Sequence, residues 1–97
     1  REPMWTSSAP WLAKIDALLI ALRALPTTEH TPELLETAEA LQRAIAAFHM
    51  EAIRFRMFGV DRLLKVSGDA TAARKIFDEL RGELEAAGFH TRSHTAP

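Results

Sequence analysis

The chain has 97 residues, of which 47% are hydrophobic and 26% charged, a balance that argues against a disordered chain and suits one domain with one core. A formal net charge of −1 argues against the basic excess of many nucleic-acid binders, and no apolar run reaches the roughly 20 residues a bilayer crossing needs. Cysteine is absent, which removes disulfides, thiolate metal sites and cysteine nucleophiles and leaves localisation without redox evidence, so a soluble, by default cytoplasmic protein is expected.

Residues 1 to 8 show no period and read as a lead-in, and a first residue of Arg1 rather than methionine suggests a trimmed or processed chain, or a fragment. Ser8 is a suitable N-cap with Pro10 in the first turn, where its missing N–H is not needed. Trp11, Ile15, Leu18, Leu22 and Leu25 then form one helical stripe, widened by Leu12 and Leu19. Pro26 removes a backbone donor and turns the preceding residue away from helical angles, so the first helix is predicted over 9–25.

Residues 26 to 30 are a short polar link that suits a reversal into an antiparallel neighbour. Thr31, Pro32 and Glu33 supply a cap, a first-turn proline and a carboxylate at the positive helix end. From there two apolar seams run along one helical phase. The first contains Leu34, Ala38, Leu41, Ile45, Phe48, Ala52 and Phe55; the second contains Met50, Ile53, Met57, Val60 and Leu64. At about 100° per residue the two point about 140° apart. This pattern predicts one long central helix over 31–66 that must be covered on two sides in its lower half. Gly59, which costs about 1 kcal/mol relative to alanine inside a helix, is the candidate kink.

Ser67 and Gly68 break the pattern, and Asp69 is the expected cap of a third helix over 69–87. Ala73, Ile76, Phe77, Leu80, Leu84 and Ala87 line its inner face, and Gly88 is the expected left-handed terminator. Residues 90 to 97 read as a frayed tail beyond a single helical domain at 9–89. The fold class is all-α: an antiparallel three-helix bundle, or helical hairpin, around one long central helix. At about 1.5 Å per residue that helix outreaches its neighbours, so either Gly59 breaks it or another chain covers part of it.

Function is less legible. The long helix begins acidic, with Glu29, Glu33, Glu36 and Glu39, and ends basic, with Arg43, Arg54, Arg56, Arg62 and Lys65. Two copies laid antiparallel would be complementary in charge. The expected function is therefore a non-catalytic protein–protein interaction or dimerisation module, a homodimer or a partner of another protein. Met50, Ile53, Met57, Phe58, Val60 and Leu64 are the candidate partner-binding residues. The rival reading is a helical pocket for a small anionic or apolar ligand. Gln42, His49 and Arg56, spaced by seven between the two seams, would give it polarity, and Phe48, Met50 and Phe55 would line it.

Other chemistries find less support. His90 and His94 have i,i+4 spacing but no further ligands, and Glu-x-x-His is missing, so no metal and no cofactor are expected. His49 followed ten residues later by Gly59 resembles the histidine-to-glycine spacing of phosphotransfer bundles. The resemblance ends there, because Ala52 and Ile53 stand where that family carries lysine and glycine. Carboxylates interleave the basic residues, which disfavours nucleic acid, and no Ser-His-Asp order or glycine loop suggests a nucleophilic enzyme.

Overall fold

The computed structural model describes residues 9–67 and 70–88. Four helices of similar length follow one another: α1 (Ala9–Arg23), α2 (Thr31–Ala46), α3 (Met50–Lys65) and α4 (Thr71–Ala86). The all-α expectation holds, but the three-helix plan around one long helix does not. The helix expected over 31–66 is two helices folded against each other as a hairpin.

The break falls at Ala47, Phe48 and His49 and not at Gly59, which lies inside α3. Phe48 adopts φ 53°, the left-handed region that a non-glycine residue enters at a cost of roughly 1–2 kcal/mol. Two hydrogen bonds close the end of α2 around it: the Phe48 N–H donates to Ile45 O at 3.0 Å and the His49 N–H to Ala44 O at 2.9 Å. This is the Schellman arrangement, with phenylalanine where glycine is usual. The Phe48 ring stacks on Trp11 at the start of α1, centroids 5.9 Å apart and planes 7° from parallel. Such a stack contributes about 0.5–1.5 kcal/mol, comparable with the backbone strain it accompanies.

The break also explains the two seams. In α2 the first seam is used, with Leu34, Ala38, Leu41 and Ile45 buried; in α3 the second is used, with Ile53, Met57, Val60 and Leu64 buried. One straight helix would present these rows in different directions. A reversal turns both toward a single core, which α1 completes with Trp11, Ile15, Leu18, Leu19 and Leu22, and α4 with Ala73, Phe77, Leu80 and Leu84. Phe48 and Phe55, expected on the first seam, are exposed instead.

Broad packing joins α2 to α3, α1 to α2 and α1 to α4, whereas α3 and α4 meet over a narrow edge. Gly59 serves the first of these contacts. A Cβ there would lie 3.2 Å from Thr37 Cγ2, so the missing side chain lets α3 approach α2 closely. Between α1 and α2, Gln42 Nε2 donates to Asp16 Oδ1 at 2.6 Å and Arg23 pairs with Glu39 at 3.3 Å. Lys14 pairs with Glu79 at 2.9 Å between α1 and α4.

Helix ends follow the sequence with small shifts. The α1 helix stops at Arg23, and one tighter turn carries the chain through Leu25 to Pro26. Thr31 is the first residue of α2 rather than its cap; its hydroxyl accepts from the Thr28 N–H at 2.9 Å and donates to Pro26 O at 3.2 Å, which fastens the link. Gly88 closes α4 with φ 103°, as its position predicts. The lead-in, Ser8, the expected cap at Asp69, and the tail with His90 and His94 lie outside the described residues. No described helix is long and apolar enough to cross a membrane.

Candidate functional site

Two surface features are built on α3. The first is its outward face. Successive residues turn by about 100°, so Glu51, Phe55, Phe58 and Arg62 fall within one strip opposite the buried row of Ile53, Met57, Val60 and Leu64. Phe55 is 48% exposed and Phe58 38%, and Met50 at the head of the helix is 53% exposed. Glu51 pairs with Arg54 at 3.5 Å, and the Arg56 guanidinium lies 5.1 Å from the Phe55 ring centroid. The face is thus aromatic in its middle, acidic at one end and basic at the other.

The candidate partner residues therefore divide. Met50 and Phe58 are exposed, while Ile53, Met57 and Val60 are 0% exposed and Leu64 4%. The last four are corrected from contact residues to core residues of this chain. They looked available because a helix over 31–66 outreaches its neighbours, which leaves part of its second seam for another chain to cover. Once the chain reverses at Phe48, α2 covers that seam, with α4 along its edge.

The ligand strip is likewise dispersed. Seven-residue spacing aligns Gln42, His49 and Arg56 only if the helix is continuous through all three. Here Gln42 bonds Asp16 on α1, His49 sits exposed in the turn, and Arg56 lies over Phe55 on α3. Phe48, Met50 and Phe55, the expected lining, are each exposed.

The second feature was not anticipated from the sequence. Where α3 and α4 meet narrowly, Asp61 receives Arg74 at 2.7 Å, Arg81 at 3.0 Å and Lys65 at 3.3 Å. Asp78 adds contacts to Arg74 at 3.4 Å and Arg81 at 3.8 Å, and both guanidiniums lie over the buried Phe77 ring. The Asp61 side chain is 14% exposed. Burial would push its carboxyl up, but the hydrogen bonds from Arg74 and Arg81, with Lys65 beside them, outweigh it and hold the group below the ordinary carboxylate value. The Asp61–Lys65 pair was legible as i,i+4 spacing. Arg74 and Arg81, seven apart with Asp78 between them, were the remaining signal, since that spacing places both on one face of α4.

Beyond this cluster a groove of about 320 Å³ opens between the end of α3 and the start of α4, lined by Leu64, Lys65, Ala70, Thr71 and Arg74. The cluster itself is a structural bridge. Its cations are directed at its own carboxylates, and no group of three or more potential metal ligands occurs among the described residues. Comparison with known proteins finds no matching family model, no matching curated protein and no matching solved structure.

Proposed function

We propose that this chain is a protein-association module whose contact surface is the outward face of α3, and that a second copy of the chain fits that face. One observation carries the reading: Phe55 and Phe58 stay exposed, one helical turn apart, after the core has been filled from the other side of the same helix. Aromatic residues centred in an exposed strip are typical anchors of an interface, surrounded by polar residues at its rim.

Self-association is favoured by register. The midpoint between Phe55 and Phe58 is also the midpoint between Glu51 and Arg62. A two-fold axis at that point, with the α3 helices antiparallel, brings each Phe55 to the partner's Phe58 and each Glu51 to the partner's Arg62. A self-complementary patch of this kind is what a two-fold dimer requires. The charge complementarity read from the sequence is retained on a shorter stretch, within α3 alone.

Molar mass by light scattering across a dilution series tests the proposal. Phe58→Glu is expected to weaken a dimer by about thirtyfold or more, as loss of a central anchor does. Arg62→Glu alone should weaken it and Glu51→Arg together with Arg62→Glu should restore it, since the pair is exchanged across the axis. A monomer at every concentration, or a dimer indifferent to Phe58→Glu, overturns the reading.

A further inference from the structure

We infer that the α2–α3 turn is a hinge through which two copies of this chain exchange their α3–α4 halves. The turn is three residues, Ala47, Phe48 and His49, and contains no glycine or proline. Nothing in its sequence forbids a helix, and the apolar rhythm runs through it from both sides. Two residues bend the chain there: Phe48 at φ 53°, in a region that phenylalanine enters only under constraint, and His49, extended at φ −99° and ψ 95°. Short strained links between packed elements favour exchange, because the strain is relieved when the link extends.

Packing makes the exchange conservative. The α3–α4 half is held chiefly by α2 against α3 and by α1 against α4, while α3 and α4 share a narrow edge. In an exchanged pair the same two broad interfaces form between chains, and the Asp61 cluster travels intact because all its members lie on α3 and α4. Only the turn changes. With Phe48 and His49 both helical, α2 and α3 become one helix over 31–65, about 52 Å long at 1.5 Å per residue. The closed chain measures 42 Å along its longest axis. The continuous helix that the sequence pattern describes is the hinge's open state.

This inference does not rest on the outward face of α3, and the test separates the two. Phe48→Ala and Phe48→Gly both remove the stack on Trp11, so they differ only in backbone preference at the hinge. Alanine favours the continuous helix and resists the left-handed angle; glycine does the reverse. Each protein is refolded across a concentration series, and dimer and monomer are resolved by chromatography with light scattering. Two hinges open per dimer, so the Phe48→Ala variant is expected to dimerise at least about a hundredfold more strongly than the Phe48→Gly variant. Its dimer should also exceed the closed chain in maximum dimension by X-ray scattering, and should survive addition of Phe58→Glu. Equal dimerisation of the two variants overturns the inference, as does a Phe48→Ala dimer that Phe58→Glu abolishes; the latter result would leave the α3 face standing.

Discussion

Asp61 offers the sharpest test of how the fold is held, because one carboxylate closes the narrow edge between α3 and α4. Replacing it with asparagine keeps the size and one acceptor oxygen but leaves Arg74 and Arg81 without their shared anion. Arg81 is the more vulnerable, since its Nε is already buried without a hydrogen-bond partner and its side chain is 15% exposed. An exposed pair would contribute about 0–1 kcal/mol and a fully buried one about 3–5 when one partner is removed. With Asp61 14% exposed and two charge-assisted contacts at 2.7 and 3.0 Å, an intermediate loss of about 2–4 kcal/mol is expected. For a domain of this size each kcal/mol shifts the midpoint by about 4–8 °C, so Asp61→Asn should lower Tm by roughly 8–32 °C. Residual contacts of both arginines to Asp78 set the lower end of that range.

The same substitution has a pH signature. The folded state holds the Asp61 carboxyl below its ordinary value of 3.8, so the unfolded chain binds the proton more readily. Its contribution is therefore fully present above about pH 4 and is lost as pH falls from there through the lower folded value. Urea unfolding of the parent and Asp61→Asn at pH 7 and pH 3 should show a stability gap that narrows in acid. A gap below about 0.5 kcal/mol at pH 7 would refute the reasoning, because the cluster would then be worth no more than a surface pair. Retention of the full gap at the lowest accessible pH would also refute it.

Further outcomes follow from the core and the glycines. Met57→Ala should destabilise the folded chain by about 2–5 kcal/mol in urea denaturation at low concentration, where association plays no part, since its side chain is 0% exposed within one chain. A loss below about 1 kcal/mol would return Met57 to the surface. Gly82→Ala should raise stability by about 0.5–1 kcal/mol, because Gly82 is exposed inside α4 and a Cβ there meets nothing within 4 Å. Gly59→Ala should differ from it by gaining little or losing slightly, since the same propensity gain is offset where the Cβ meets Thr37 Cγ2 at 3.2 Å. Equal stabilisation by the two substitutions would show that α3 is less closely packed on α2 than the structure has it.

Much of the architecture was legible in local pattern. Helical periodicity found most of the buried residues, among them Ile15, Leu18 and Leu22; Leu34, Ala38, Leu41 and Ile45; Ile53, Met57, Val60 and Leu64; Phe77, Leu80 and Leu84, although Phe48, Met50, Phe55 and Ala87 from the same rows are exposed. Pro26 and Gly88 ended helices for backbone reasons that act within a few residues. The candidate contact residues were read less well. The same periodicity that identifies an apolar row cannot say whether this chain or another covers it, so Ile53, Met57, Val60 and Leu64 appeared as interface although they are core. Phe58, which belongs to neither seam, is exposed.

The sequence by itself determined an all-α chain with its apolar rows and most of its helix ends, because those depend on residues three and four apart. Only the tertiary structure decided where the long apolar segment reverses. Ala47, Phe48 and His49 carry no local signal to stop a helix, and Gly59, which does, stays inside one. The reversal at Phe48 is imposed from outside the segment: two seams about 140° apart can share one core only if the chain folds between them. The ring of Trp11, far away in sequence, is there to receive Phe48 when it does. The Asp61 bridge is non-local in the same way, since Arg74 and Arg81 reach it only after α4 has been laid against α1 and brought alongside α3.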